Sequence, residues 1–166
     1  MPTIQVIWGG EVCSSIAADL VAQGSSRSPP VLMESVSMET FKRPDLAAFA
    51  DADRTAVFLV QTVENGELPE AAGGFLRFFK RKNHPADMLA GKLSFAVLAV
   101  GDSNLLLDRQ TTKAKDCNQA GQALDSRLPE LGASRFYGRG EADERTGMEE
   151  LEEWIEGLWP AIEGIA

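Results

Sequence analysis

The chain is poor in the residues that most often announce a chemistry. Its 166 positions hold two cysteines, Cys13 and Cys117, one histidine and one tyrosine. Two isolated cysteines exclude a disulfide framework and a cysteine-rich zinc site, and they suit a reducing compartment. The single histidine, His84 before Pro85 in a basic polar stretch, argues against a histidine-dependent triad and reads as a solvated turn residue. Neither a Gly-x-Gly-x-x-Gly nor a Walker sequence occurs, which argues against a dinucleotide or nucleoside triphosphate cradle. No apolar run reaches membrane-spanning length, and the amino terminus lacks a basic segment followed by an apolar one. The expectation is a cytoplasmic protein with no membrane segment.

Positive charge is also scarce, with 16 basic against 25 acidic residues for a net charge of -9. That balance argues against nucleic acid and anionic membrane as natural partners. It favours basic protein surfaces or soluble cations, and it serves solubility in either case. With 44% hydrophobic and 25% charged residues, the chain has the apolar material for one core, and residues 1–166 read as a single domain.

What is present is a recurring pattern. Thr3 to Trp8 is a short, β-branched apolar run that stops at Gly9-Gly10. Ser14-Ser15 then reads as the cap of a helix with Ile16, Leu20 and Val21 on one face, ending at Gly24. A second strand is expected at Val31 to Val36 and a short helix from Pro44 through Phe49. Thr55 to Gln61 is a continuous apolar run followed by a polar loop, and a helix starting at Pro69 carries Phe75, Leu76, Phe78 and Phe79. Leu93 to Val100 predicts a fourth strand, Ala120 to Leu131 a helix, Phe136-Tyr137 a short fifth strand and Met148 to Ile162 a closing helix. Uniformly apolar strands alternating with amphipathic helices imply an α/β three-layer sandwich around a five-stranded parallel sheet, with order 2-1-3-4-5.

In such a sheet, ligands sit outside the carboxyl ends of the strands. The loops Gly9 to Ser15, Thr62 to Leu68 and Gly101 to Asn118 should therefore converge. The first meets a helix amino terminus, where unpaired N–H groups favour an anion; glycine and serine are equally ordinary turn and cap residues. Asp102 reads as a loop cap, with metal ligation or a base role as the alternative. Cys13, near a helix start, is a small buried residue or else a low-pKa thiolate for phosphoryl or thiol chemistry. No catalytic residue and no metal ligand set is assigned.

The segments Phe95 to Ser103 (FAVLAVGDS), Cys117-Asn118, Leu124 to Tyr137 (LDSRLPELGASRFY) and Trp154 to Ile162 (WIEGLWPAI) carry a resemblance. The chain resembles the FMN-binding, flavodoxin-like domain of diflavin reductases, the group containing cytochrome P450 reductase and methionine synthase reductase. The resemblance spans essentially the whole chain and is strongest from Thr55 onward. The segment near Trp159-Pro160 is similar to where that domain gives way to a linker and an FAD/NADPH-binding module.

The resemblance implies that Gly10, Glu11, Val12, Cys13, Ser14 and Ser15 surround the FMN phosphate. It implies that Thr62, Val63, Glu64, Asn65 and Gly66 line one side of the flavin ring. Gly101, Asp102, Ser103, Leu105 and Asn118 would line the other. The sequence departs from the family at several of these positions. Glu11 brings negative charge to the phosphate loop, Val12 and Cys13 replace donors or glycine, and against the family pattern the segment through Ala17 is about two residues short. Val63 and Leu105 or Leu106 stand where flavin-stacking aromatics are usual, and Glu64 replaces a small glycine.

Two functions follow. One is an FMN-binding electron-transfer domain that takes electrons from an FAD/NADPH-binding reductase module and passes them to a basic redox acceptor protein. The alternative is a flavodoxin-like protein-interaction domain that has lost FMN. In the first, Glu141, Asp143 and Glu144 with Glu64 and Glu67 should form an acidic rim that steers the acceptor.

Overall fold

The computed structural model describes residues 3–63, 66–106 and 117–165, with the backbone alone at 105 and 106. Strands β1 (Ile4–Gly9), β2 (Met33–Ser37), β3 (Arg54–Gln61), β4 (Leu93–Gly101), β5 (Ser134–Arg135) and β6 (Gly140–Asp143) form the sheet. Between and after them come helices α1 (Glu11–Ser25), α2 (Arg43–Ala47), α3 (Gly73–Lys80), α4 (Gln119–Glu130) and α5 (Glu149–Ile165). The strand order is β2-β1-β3-β4-β5, with β6 also pairing β4. Every pairing between these strands is parallel. The fold is flavodoxin-like, with the strand order expected from the sequence.

Because side chains alternate across a strand, the uniformly apolar strands feed two cores. Ile7, Ala56, Phe58, Val60, Phe95 and Val97 face one side, where Phe75, Leu76 and Phe79 of α3 and Leu124 and Leu128 of α4 cover them. Val6, Val57, Leu59, Ala96, Leu98 and Val100 face the other, under Ile16, Ala17 and Leu20 of α1 and Ile155, Leu158 and Ile162 of α5. Each such large apolar side chain contributes about 1.5–3 kcal/mol when fully buried. The first core is aromatic at its centre: the Phe75 ring lies 5.3 Å from Phe41, 5.8 Å from Phe58 and 5.1 Å from Phe79, in tilted and edge-on contacts.

The structure moves several expected boundaries. Helix α1 starts at Glu11, with Gly10 as its cap residue, so Ser14 and Ser15 lie inside it. The Ser14 N–H donates to the Gly10 carbonyl at 3.2 Å, which closes the first helical turn. Pro69 opens a turn through Ala72, and α3 itself begins at Gly73. His84 is half-buried; its Nε2 lies 2.6 Å from the Phe78 carbonyl oxygen near the end of α3, and its ring packs on Phe78.

The largest correction concerns the fifth strand. Phe136-Tyr137 does not form it; those residues fall in the gap between β5, opposite Ser94 and Phe95, and β6, opposite Leu98 to Gly101. The Phe136 N–H still donates to the Phe95 carbonyl of β4 at 2.9 Å, and from Tyr137 the chain is tied to α5 instead. The Tyr137 hydroxyl donates to the Trp154 carbonyl at 2.7 Å, and the Trp154 indole N–H donates to the Gly138 carbonyl at 2.9 Å. Asp125, buried on α4, clamps both ends of the interruption: one oxygen accepts from Arg135 and the other from Arg139, each at 2.9 Å.

Asp125→Ala removes both charged contacts at once and leaves two guanidinium groups without that acceptor. The expected loss is about 2 kcal/mol, the scale of hydrogen bonds to charged groups, with a smaller loss for Asp125→Asn. Urea unfolding of the three proteins checks it; equal midpoints would mean that the clamp contributes nothing.

Candidate functional site

The carboxyl edge of the sheet is assembled from the residues that follow β1, β3, β4 and β6. Gly9 pairs with Val60 and Gln61 with Val100, so the three central strands end at nearly the same height. Beyond that line, Thr62 continues the tie to β4 by donating its N–H to the Val100 carbonyl at 2.8 Å. Its buried hydroxyl accepts from the Ala120 N–H at 3.0 Å, satisfying one of the open donors at the start of α4. One residue thus joins the β3–α3 loop to the loop after β4.

The β3–α3 loop then folds back on itself. Val63 and Glu67 form an isolated bridge, with the Val63 N–H donating to the Glu67 carbonyl at 2.7 Å. Gly66 is buried with φ +75°, and a Cβ there would run into the Gln119 amide. Glu64 and Asn65 lie outside the described residues. On β4, Gly101 is held to glycine by close approach: a Cβ would overlap the Cys117 carbonyl and lie 2.8 Å from Asn118 Oδ1. Asn118 is buried at the start of α4.

Asp102 behaves as the loop cap expected of it, its Oδ1 accepting from the Asn104 N–H at 3.0 Å. Asp143 at the end of β6 joins the neighbouring loops, with one oxygen accepting from the Ser103 N–H at 3.0 Å and from the Arg145 N–H at 2.9 Å. Burial pushes the Asp143 carboxyl upward, but those hydrogen bonds and the Arg145 charge outweigh it and hold it below the usual range. Burial, with Asp102 and Asp143 nearby, pushes the Glu144 carboxyl up. Leu105 lies in a short 3-10 turn, Ser103–Leu106. The expected acidic rim is therefore partly structural: Glu141 is engaged by Arg139 at 3.0 Å and Gln122 at 3.2 Å, while Glu67 and Glu144 remain exposed.

The β1–α1 connection differs most from what the resemblance implies. It is a single residue, Gly10, with φ +108°. Gln61 packs against that turn, and its side-chain Oε1 accepts the Val12 N–H at 3.3 Å. Glu11 is exposed in the first turn of α1, and Ser15 is exposed as well. A phosphate does not fit this terminus as it stands, because a side chain already sits on it and a carboxylate flanks it. Sequence reasoning treated Gln61 only as the last residue of a strand. The available signal was a long polar side chain ending β3 beside the Gly9-Gly10 of a neighbouring strand.

Cys13 is fully buried, and burial together with the Glu144 charge pushes its thiol up to about 12. That excludes the thiolate reading, since a nucleophilic cysteine needs a lowered pKa and access. Among the described residues no group of three or more His, Cys, Asp and Glu is placed to hold a metal ion, and no helix is long and apolar enough to cross a membrane.

The family model for flavodoxin matches residues 16–157. The chain belongs to the flavodoxin family. Among relatives of this flavodoxin-family chain, methionine synthase reductase from Bos taurus is 42% identical over 108 residues, covering 64% of this chain and 14% of that protein. NADPH--cytochrome P450 reductase from Dictyostelium discoideum is 28% identical over 107 residues, again 64% of this chain and 14% of the relative. The resemblance to diflavin reductases is thereby borne out, and the matched stretch is a small part of those proteins. Among solved structures, a point mutant of flavodoxin from Pseudomonas aeruginosa superposes with a TM-score of 0.66 at 18% identity, covering 98% of this chain and 99% of that one. At that identity it speaks for the fold alone.

The buried thiol makes a testable contribution to stability. A thiol that titrates near 12 when folded and near 9.0 when free keeps a proton that the unfolded chain gives up. Stability supported by Cys13 is present below pH 9.0 and is lost as pH rises through the window to about 12. Unfolding free energies measured from neutral pH to about pH 11 should shift in favour of Cys13→Ala relative to the parent as pH rises. Parallel curves for the two proteins would contradict the assignment.

Proposed function

We propose that this chain is a flavin-carrying electron-transfer domain of diflavin-reductase type. It takes electrons from an FAD/NADPH-binding module and delivers them to a basic protein acceptor. The observation that carries the reading is the family match together with relatives named as reductases; an open parallel sheet keeps its ligands at the carboxyl edge described above. On this reading the flavin supplies the redox chemistry, and the chain's own residues fix where it lies.

The ring side of such a site is the pair of loops from Thr62 to Gly66 and from Gly101 to Leu105, with Asn118 beneath. Their support for the proposal is mutual bracing: Thr62 caps α4, and the Gly66 and Gly101 backbones pack on residues 117–119. A rigid edge keeps a bound ring in one orientation without an ordering cost at each encounter. The Val63 side chain covers less area than an aromatic ring and offers no quadrupole, so weak binding is expected. Exposed Glu67 and Glu144 supply negative potential near this edge for an approaching basic surface.

A second reading has one observation in its favour. The occupied α1 terminus suits a flavodoxin-family domain that has kept the fold for protein interaction and dropped the cofactor. The visible absorption spectrum of the purified protein, recorded before and after FMN titration, separates the two. A bound-flavin spectrum with saturable uptake is the expected outcome. A colourless protein whose addition leaves the FMN spectrum and fluorescence unchanged would establish the interaction domain instead.

A further inference from the structure

The register of β1 on β3 puts Gly10 and Gln61 side by side. Gly9 pairs with Val60, so the chain leaves β1 at Gly10 beside Gln61, the last residue of β3. At Gly10 the chain turns straight into α1, leaving no loop whose amides might wrap an anion. A Cβ on Gly10 would overlap both the Cβ and the amide of Gln61, so the glutamine is packed on the turn itself. Its Oε1 then reaches the Val12 N–H at 3.3 Å. The Ser14 N–H is already bonded to Gly10, so the open donors of this terminus are the N–H groups of residues 11, 12 and 13, and Gln61 holds the middle one.

Charge works in the same direction. A helix amino terminus attracts an anion through its dipole, but here residue 11 is a carboxylate, and α1 carries no lysine or arginine. The Glu144 charge acts on Cys13 from the β6–α5 side, so negative groups flank the terminus from two elements. The flavodoxin family match itself begins at residue 16, past this turn.

We infer that Gln61 closes the amino terminus of α1 to phosphate, and that this chain recognises a flavin at the edge formed by Thr62, Val63, Gly66, Gly101 and Asn118, without a phosphate contact. The closure stands on the geometry alone; the second half rests on the flavin-carrier reading. The consequence is a change of ligand class, in which FMN and its dephosphorylated form, riboflavin, are equivalent. Gln61 is then the specificity-determining residue: removing its side chain uncovers the amides of residues 11 to 13, and the exposed, solvent-screened Glu11 weakens the phosphate binding they allow without abolishing it.

Two measurements on the full chain decide this. In the first, 15N-labelled protein is titrated with inorganic phosphate against chloride at matched ionic strength, for the parent and for Gln61→Ala. The amides of Glu11, Val12 and Cys13 should show no saturable shift in the parent and a saturable one in the variant. The remaining amide spectrum reports that the variant is folded. A saturable shift in the parent, or none in a folded variant, overturns the closure. In the second, both proteins are titrated with FMN and with riboflavin. The parent's two affinities should agree within about threefold, and Gln61→Ala should prefer FMN by about tenfold. A parent that already prefers FMN by about tenfold overturns the inference. If neither protein binds either flavin, the carrier reading and the claim on ligand class both fail, and the amide shifts still decide whether Gln61 closes the helix.

Discussion

The parallel pairing of β3 with β4, from Arg54 opposite Leu93 to Gln61 opposite Val100, determines how the carboxyl edge is built. Both strands are buried on both faces, so neither can slip by a residue without exchanging the side chains of two cores at once. The register therefore fixes where each chain leaves the sheet, and it fixes Thr62 opposite the end of β4. From that point Thr62 reaches the start of α4 and ties two loops that are distant in sequence. Gly101, at the end of the same strand, is tight against Cys117, whose carbonyl a Cβ there would overlap.

Charge is arranged around this frame in two different ways. Asp125 is a buried carboxylate with two guanidinium partners and serves to clamp an interrupted strand. Buried ion pairs of this kind often add little net stability, because desolvation offsets attraction; removing one partner is what costs. Asp143 is used differently, as an acceptor for backbone N–H groups that joins the β4 and β6 loops. A count of acidic residues at the sheet edge therefore overstates the charge available to a partner. Glu141 and Asp143 are half-exposed but engaged by Arg139 and by backbone N–H groups, and the unengaged potential comes from residues such as Glu67 and Glu144.

The sequence made the central strands legible because a strand buried on both faces has no polar alternation to blur it. Expected and observed limits of β1, β3 and β4 differ by at most one residue at either end. The fifth strand was not legible for the converse reason. Its paired residues are the polar Ser134 and Arg135 and the sequence Gly-Glu-Ala-Asp, whereas the apolar Phe136 and Tyr137 sit in the gap and pack against the α5 core. Hydrophobicity marked the residues between the two paired segments, which face the α5 core. The start of α1 was ambiguous locally, since Gly10 and Ser14 are both good caps; the chain's path is settled by contact with Gln61 on another strand, which no local pattern reports. The same long-range contact hid the state of the phosphate-loop residues.

That the family's fold persists here around an altered loop has a physical basis. None of the side chains that fill the two cores belongs to a loop implied to touch the phosphate, apart from Cys13 and the half-buried Val12 at its edge, whose packing needs only small apolar groups. The sheet and its helices are thus stable independently of what the β1–α1 turn binds. A one-residue turn leaves a helix terminus with open donors, which is costly if they are buried unpaired. A long amide side chain on the adjacent strand answers that cost from within the chain. At a one-residue turn the terminus needs an internal acceptor, and the register of β1 on β3 determines that residue 61 is placed to supply one.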